Sequence, residues 1–279
     1  MPNVVLKEGI NWVGVVDWNI RDFHGYTTSR GTSYNAYLIR DEKTALIDTV
    51  KCNFAEELAR NIEELVSLDK IDYIIVNHVE MDHSGSLPEI VKLAKNARII
   101  ACQRGKDALI EHFGDEFDRV EVIKTGDELK LGKHTLRFIE SPMLHWPDSM
   151  FTYIVEDKIL MSNDPFGEHY ATSERFDDED DQQELMEEAK TYYANILTPF
   201  AALIIRKVQE IVQMGIPLEM IAPDHGVIWR KDPSKIINAY LQWSTFASTQ
   251  KVIVVFDTMW GSTDKMARAI EEGAAGEAE

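Results

Sequence analysis

The chain has 279 residues, of which 44% are hydrophobic, and it carries a formal net charge of −19 with a pI of about 4.8. This length and composition suit a globular protein with a sizeable core, and the acidity argues against nucleic acid as a partner. No apolar run approaches membrane-spanning length and no signal peptide is recognisable, while the two cysteines, Cys52 and Cys102, suit buried positions in a cytoplasmic protein.

Strand-like and helix-like segments alternate along most of the chain. The predicted strands are residues 11–16, 34–39, 44–47, 71–77 and 98–101, followed by a strand-rich stretch over 120–161. The predicted helices are residues 54–66, 87–93, 106–113, 177–197 and 200–214. This order predicts an α/β or α+β fold with mixed sheets.

Four potential metal ligands follow the buried strand-like run 71–77: His78, Glu80, Asp82 and His83. They lie at the carboxyl end of that strand, where α/β sheets tend to carry their sites. In an extended segment His78, Glu80 and Asp82 point the same way, and His83 points elsewhere, toward a second ion. Converging imidazoles and carboxylates need a cation to offset repulsion and desolvation. A polar loop merely rich in histidine and acid is the alternative interpretation.

Three further candidates, His145, Asp164 and His225, each follow a short apolar run that breaks into a turn containing Pro or Gly. One histidine in such a place is more often structural than a ligand. Four ligand clusters that all lie at strand ends favour a metal site. His112 and His134 lack comparable neighbours and are interpreted as surface residues.

The end of the chain has a different pattern. Residues 251–256 are typical of a buried parallel strand, residues 257–263 of a hydroxyl-rich loop and residues 264–270 of a helix. Backbone N–H groups at the helix start, with the hydroxyls of Thr258, Ser262 and Thr263, could hold a phosphate. An ordinary strand–turn–helix connection is the alternative.

The order His-x-Glu-x-Asp-His, then His, Asp and His, resembles the ligand pattern of flavodiiron proteins, also called A-type flavoproteins. Segments 17–26, 31–38, 163–167 and 192–197 are also similar to that family, and the resemblance covers essentially the whole chain. It implies a metallo-β-lactamase-like αββα sandwich over residues 1–249. Over residues 250–279 it implies the first β-α unit of a truncated flavodoxin-like domain, whose FMN-binding loop would be Thr258, Met259, Trp260, Gly261, Ser262 and Thr263.

The resemblance further implies a diiron site. One iron would be held by His78, Glu80 and His145, the other by Asp82, His83 and His225, and Asp164 would bridge them. Zinc hydrolases of this fold usually have histidine at the position of Glu80, and a carboxylate there favours iron or manganese in ligand type. The remaining expectations are His24 and Tyr193 as catalytic residues, Phe23, Tyr26, Trp146 and Tyr193 as pocket lining, and His169 as an orienting residue. The acidic segment 174–188 would form a cap beside the metals, and a solvated helix face with acids near the helix N-terminus is the alternative.

The implied activity is reduction of O2 to water, of NO to N2O, or of both, with electrons delivered through FMN. Rubredoxin, a flavin reductase or a reduced deazaflavin would supply electrons to the FMN. A head-to-tail homodimer, or a dimer of dimers, would bring the FMN of one subunit to the irons of another. A zinc-dependent hydrolase of the metallo-β-lactamase type and a diiron gas or redox sensor are the alternatives.

Overall fold

The computed structural model describes residues 4–247 and 251–276, and the chain divides into two compact units, Met1–Ser244 and Thr245–Glu279. The strands of the first unit are, in chain order, β1 Val4–Lys7, β2 Ile10–Trp12, β3 Val15–Asp17, β4 Asp22–Phe23, β5 Tyr26–Thr27, β6 Thr32–Tyr34, β7 Tyr37–Arg40, β8 Thr44–Ile47, β9 Tyr73–Ile75, β10 Arg98–Cys102, β11 Glu121–Ile123, β12 Glu128–Lys130, β13 Thr135–Glu140, β14 Met150–Ile154, β15 Ile159–Asn163 and β16 Met220–Pro223. Its helices are α1 Ala55–Glu63, α2 Met81–Ser84, α3 Leu87–Leu93, α4 Gln103–Phe113, α5 Gln182–Tyr192, α6 Ala201–Gln213 and α7 Pro233–Ser244. A π-helical turn, Tyr193–Leu197, continues α5, and 3-10 turns occur at Cys52–Phe54, Leu68–Lys70, Asp115–Arg119 and Thr198–Phe200.

Two sheets form the centre of the first unit. The larger one has seven strands in the order β1-β2-β7-β8-β9-β10-β11, antiparallel up to β8 and parallel from β8 onward. The second has five strands in the order β12-β13-β14-β15-β16, and only β15 and β16 pair in parallel. The short pairs β3-β6 and β4-β5 lie outside both sheets.

Successive residues of the strands pack into different hydrophobic clusters, of which there are three in the described residues. In β7, Tyr37 and Ile39 pack in the cluster between the sheets, whereas Leu38 packs in the cluster that contains residues of α1, α3 and α4. In β15, Met161 joins the central cluster and Leu160 joins a third cluster with α5, α6 and α7. Because successive strand residues point to opposite faces, each sheet is covered on both sides. The layers are therefore helix, sheet, sheet and helix, and the expected αββα sandwich is confirmed.

The predicted elements mostly exist, with shifted boundaries. Strand β8 and helix α3 have the predicted bounds. The strand predicted over 11–16 is split at Gly14, where a Cβ atom would lie 2.3 Å from the backbone oxygen of Tyr34. The strand predicted over 34–39 is likewise divided between β6 and β7. The helix predicted from residue 177 begins only at Gln182.

Two predictions about single side chains were wrong. Cys52 is exposed at the start of a 3-10 turn, while Cys102 is buried and caps α4, its sulfur accepting the Gly105 N–H. His134 is buried because Asp41 holds its ring.

The second unit contains helix α8, Ser262–Ala275, as the sequence predicts. Residues 251–256 are not a paired strand, and Val252, Ile253 and Val255 are largely exposed, so the prediction of a buried strand there was wrong. A strand needs a hydrogen-bonding neighbour, and no other strand of this unit lies within residues 251–276.

Candidate metal centre

The segment after β9 turns sharply where the candidate ligands begin. Asp148 Oδ2 accepts the N–H of Val79 (2.7 Å) and lies 2.9 Å from His78 Nδ1, which fixes this loop. Glu80 then precedes helix α2 as its N-cap. Because Asp82 lies in that helix, the expected extended alternation of His78, Glu80 and Asp82 was wrong. His78 and Glu80 lie in one group of potential ligands, and Asp82 and His83 lie in another.

The structure brings all seven candidate ligands together. His78, Glu80, His145 and Asp164 form one group, and Asp82, His83 and His225 form the second, with the ligand atoms of each group within 4.8 Å of one another. The side chains come from the loops after β9, β13, β15 and β16. These loops leave the carboxyl ends of β9, β13, β15 and β16, which explains why ligands far apart in sequence converge.

Asp164 lies between the two groups. Its Oδ2 is 3.2 Å from His78 Nε2 and 3.0 Å from His145 Nε2. Its Oδ1 is 3.2 Å from His83 Nε2 and 3.4 Å from His225 Nε2. One oxygen of the carboxylate therefore faces each group, which is the arrangement that a ligand shared by two ions requires.

Burial alone would raise the pKa of a carboxyl group and lower that of an imidazole, but the contacts in this cavity reverse both shifts. His145 and His78 hold the pKa of Glu80 at about 2. His83 and His225 hold the pKa of Asp82 well below its usual range. The neighbouring carboxylates raise the pKa of His83 and of His145 to about 9. The cavity thus draws in positive charge, either as protons on the imidazoles or as metal ions.

Several inward-facing atoms have no hydrogen-bond partner in the described part of the chain. They are both carboxylate oxygens of Asp82, Oδ2 of Asp164, and Nε2 of His145 and His225. Buried polar atoms normally have partners. Imidazole nitrogen and carboxylate oxygen are ligands of divalent transition metals, so these residues fit a pair of metal ions, and the mixed set suits iron.

Outer contacts aim the imidazoles inward. His78 Nδ1 lies against Asp148, His225 Nδ1 donates to the backbone oxygen of Ser33 (2.6 Å), and His83 Nδ1 is 3.5 Å from Asp224 Oδ2. Fixing one ring nitrogen determines which nitrogen is free for a metal. No role was predicted for Asp148 or Asp224. The sequence indicates them only in that each is an acidic residue close to a candidate ligand, Asp148 to His145 and Asp224 to His225.

His24, predicted to be catalytic, lies at the mouth of the cavity. Its Nε2 is 3.6 Å from both Glu80 Oε1 and Asp82 Oδ2. Its Nδ1 is 3.0 Å from His169 Nε2, and His169 Nδ1 is 2.8 Å from the hydroxyl of Thr32. Burial lowers the pKa of His24. The structure thus places His169 where it can orient His24, as expected.

Tyr193, also predicted to be catalytic, does not reach the cavity. Its hydroxyl lies 2.9 Å from Ser244 Oγ and its ring packs on Tyr240 and Trp243. Tyr192 instead donates to Asp164 Oδ1 (2.8 Å). The prediction was one residue off, because consecutive residues of a helix point about 100° apart and the sequence does not fix the rotation.

The aromatic residues predicted to line the pocket are half-buried around it. Phe23 stacks on His24 with ring centroids 4.0 Å apart, Tyr26 stacks on His169 at 5.7 Å, and Trp146 meets His78 edge-on at 5.4 Å. Each of these three rings therefore packs against a histidine of the candidate site or of its surroundings.

The predicted FMN loop precedes α8. Thr258 Oγ1 accepts the N–H of Gly261 (2.9 Å), whose φ of 80° starts the helix, and Met259 and Trp260 are almost fully exposed. The helix was predicted from residue 264 but begins at Ser262, so Ser262 and Thr263 belong to α8, and the phosphate-binding role of residues 258–263 stays a prediction.

The fold and the convergence of these side chains define a protein of the metallo-β-lactamase class, and residues 32–226 match the family model described as ODP family beta lactamase. The chain is 50% identical over 272 residues to a nitric oxide reductase of Moorella thermoacetica, covering 97% of this chain and 68% of that protein. It is 46% identical over 276 residues to the anaerobic nitric oxide reductase flavorubredoxin of Escherichia coli, covering 98% of this chain and 58% of that protein.

Solved structures agree. The rubredoxin oxygen:oxidoreductase of Desulfovibrio gigas has a TM-score of 0.96 at 40% identity, covering 99% of this chain and 69% of that one. The flavodiiron protein of Giardia intestinalis has a TM-score of 0.93 at 44% identity, covering 99% and 68%. The chain belongs to the flavodiiron protein family.

No helix within residues 4–247 and 251–276 combines the length and apolarity needed to cross a membrane.

Proposed function

We propose that the chain carries the diiron centre of an oxidoreductase that reduces NO to N2O, O2 to water, or both. The observation that carries this proposal is Asp164, which directs one oxygen to each group of candidate ligands. His78, Glu80 and His145 would hold one iron, and Asp82, His83 and His225 the other. When bound, two ferrous ions supply two electrons together and leave positions open for a diatomic gas.

The protein residues would supply positioning, protection and a hydrogen bond. Phe23, Tyr26 and Trp146 surround the cavity with apolar ring surface, which admits a small neutral gas more readily than water. His24, held by His169, presents Nε2 near Glu80 and Asp82 and can hydrogen-bond a ligand there. Reduction of either gas consumes protons as well as electrons, and a neutral imidazole at the mouth can pass a proton inward.

The choice between the two gases is open at the level of residue type. Both are small, neutral and apolar, and no polar contact in the described cavity distinguishes them. The Moorella and Escherichia relatives are named for nitric oxide and the Desulfovibrio structure for oxygen, which supports proposing both substrates.

The electron path is proposed from the family. Residues 1–249 would form the diiron domain, and residues 250–279 would begin a flavodoxin-like domain in which residues 258–263 hold the FMN phosphate. Rubredoxin, a flavin reductase or a reduced deazaflavin would reduce the FMN. A head-to-tail homodimer or dimer of dimers in the cytoplasm would pass electrons between subunits.

The test is metal content combined with gas consumption. The chain is produced in iron-replete medium, and its iron and zinc are quantified. Consumption of NO and of O2 is then measured with one chemical reductant, which bypasses FMN. We expect about two irons per chain and consumption of at least one gas.

The same experiment separates the rival functions. Two zinc ions, no gas consumption and hydrolysis of a thioester or phosphodiester would replace the proposal by a metallo-β-lactamase-like hydrolase. Two irons that bind gas but turn over poorly, even with ample reductant, would indicate a gas or redox sensor.

A further inference from the structure

The loop that carries His225 is held on one side by Ser33 in β6 and by Asn35, which follows that strand. Asn35 Nδ2 donates to the backbone oxygens of Pro223 (2.8 Å) and Gly226 (3.1 Å). Ser33 Oγ accepts the N–H of Gly226 at 2.8 Å. These contacts fix residues 223–226 against β6 and the residues after it, but they leave the next N–H group, that of Val227, to be satisfied from elsewhere.

Glu168 supplies that contact from the opposite side. Its side chain is fully buried, and Oε1 accepts the N–H of Val227 at 2.8 Å. A Cβ atom on Gly226, which has a φ of 74°, would lie 2.3 Å from Glu168 Oε1 and 2.7 Å from the Glu168 backbone oxygen. The carboxyl group therefore packs directly on the backbone beside His225, at a distance that only glycine permits.

Glu168 is not among the groups of potential metal ligands in the described residues. Its Oε2 has no hydrogen-bond partner within residues 4–247 and 251–276, and no Lys or Arg forms an ion pair with it there. Burial raises the pKa of Glu168 well above its usual range. Accepting the N–H of Val227 requires only one of the two carboxyl oxygens, and Oε1 makes that contact.

We propose that Glu168 is a positioning residue that holds the His225 loop in place and thereby strengthens binding of one of the two metal ions. That ion is the one assigned to Asp82, His83 and His225, so the inference rests on the proposed function. The other ion is assigned to His78, Glu80 and His145, and the loop of His78 is held by Asp148.

The experiment compares Glu168→Ala, Glu168→Gln and the exposed control Glu187→Ala with the wild-type chain. Each protein is loaded with iron, and release of iron to a coloured chelator is followed over time, alongside thermal unfolding. In Glu168→Ala we expect one iron to leave at least roughly tenfold faster while the other keeps the wild-type rate, the usual scale for loss of an outer contact. Glu168→Gln should release iron like wild type, because its amide oxygen can accept the same N–H. Glu187→Ala should also match wild type.

Several results would overturn the inference: equal release rates in Glu168→Ala and wild type, equal acceleration of both irons, or a Glu168→Gln protein as defective as Glu168→Ala.

A double variant identifies the affected ion. When His225→Ala is already present, Glu168→Ala should have no further effect on iron release. If Glu168→Ala does not fold, Glu168→Asp decides, because its carboxyl group is one methylene too short to reach Val227 and should cause the same selective loss. If wild type carries zinc instead of iron, the proposed function fails, and the same release experiment with zinc still tests Glu168.

Discussion

Asp164 joins the two halves of the candidate metal centre, and its surroundings show how one carboxylate is kept in place. The backbone N–H of Asp164 is accepted by Asn163 Oδ1 at 2.6 Å, and Tyr192 donates to Asp164 Oδ1. Oδ2 has no hydrogen-bond partner in the described part of the chain. The Nε2 atoms of His78 and His145 lie 3.2 and 3.0 Å from Oδ2. A fully buried carboxylate in such a place is costly unless the imidazoles are protonated or metal ions are bound. At the scale of single residues, the site is thus built around positive charge.

Substitutions of Glu80 test which metal ion supplies that positive charge. Glu80→Ala removes a charge and a donor atom from the first ligand group, so we expect loss of one metal ion or of turnover. Glu80→His replaces oxygen by nitrogen, and we expect the zinc-to-iron ratio of the purified protein to rise. Elemental analysis and gas consumption measure both effects, with Glu89→Ala on the exposed face of α3 as the control. Normal iron content and activity in both Glu80 variants would place the site elsewhere.

Tyr192 and Tyr193 form a matched pair of adjacent residues. Tyr192→Phe removes the hydroxyl that donates to Asp164, and we expect turnover to fall by roughly tenfold or more. Tyr193→Phe loses only the contact with Ser244, so we expect activity near wild type and a loss of about 1 kcal/mol in the free energy of unfolding. Gas consumption and denaturant unfolding of both variants measure the two effects. The opposite pattern, with Tyr193→Phe inactive, would restore the original prediction for Tyr193.

The ligand candidates could be found in the sequence, but their supports could not. Each candidate is a His, Glu or Asp close to the end of a recognisable strand, so type and position are both local signals. Asp148 reaches His78 across 70 residues, and Tyr192 reaches Asp164 across 28. Such contacts depend on how elements pack, and no spacing rule in one sequence encodes them.

At the scale of elements, local sequence patterns predicted most helices and strands. Their observed ends differ from the predicted ones because tertiary contacts determine where each element begins and ends. The central strands were predictable because they are short apolar runs: β8, β9 and β15 are buried at every position. The helix expected from residue 177 starts later because Asp177 binds a different segment. Its Oδ1 accepts the N–H groups of Arg230 (2.8 Å) and Lys231 (3.0 Å). Asp181 then caps the helix by accepting from Gln183 and Glu184. An acidic run alone does not show which of its members is the cap.

The turn between β7 and β8 is tied to the turn before β13 by Asp41. Its Oδ2 accepts the N–H of His134 (2.8 Å) and lies 2.7 Å from His134 Nδ1, while Oδ1 accepts the N–H of Glu42. Because these two turns belong to different sheets, this contact fixes one sheet against the other at that end. We expect Asp41→Ala to lower the free energy of unfolding by about 1 to 3 kcal/mol, with the exposed Glu42→Ala close to wild type.

The same contact has a defined pH dependence. Burial would raise the pKa of Asp41, but the N–H groups of His134 and Glu42 outweigh it and lower the pKa below 3.8. A depressed pKa in the folded state contributes stability that is full above that ordinary value and is lost as the pH falls through the folded value. The difference in stability between wild type and Asp41→Ala should therefore shrink as the pH falls from about 4, the ordinary value for aspartate, into stronger acid. Chemical denaturation across that range measures it, and a difference independent of pH down to complete protonation would contradict the assignment.

At the scale of the whole molecule, the sandwich required information that single elements do not hold. Alternating strands and helices predict mixed sheets, whereas the stacking of two sheets between helical layers followed only from the resemblance. The structure gives the physical reason: Tyr37 and Met161 meet in one central cluster although they lie in different sheets, far apart in sequence. The second unit behaves differently, because residues 251–256 leave apolar side chains exposed and α8 buries only Ala267.

The last prediction concerns FMN. The 279-residue polypeptide, produced as its sequence stands, should bind two irons but bind FMN weakly. Loop residues 258–263 offer a few hydrogen bonds, each contributing about 1 kcal/mol and somewhat more to a phosphate dianion. Met259 and Trp260 are almost fully exposed, although bound cofactors are usually enclosed. Quenching of FMN fluorescence measures the affinity. All seven candidate metal ligands precede residue 251, so iron content should be independent of FMN. Tight, stoichiometric FMN binding by this polypeptide would mean that the flavin ring is enclosed by surfaces outside residues 251–276, such as those of a second copy of the chain.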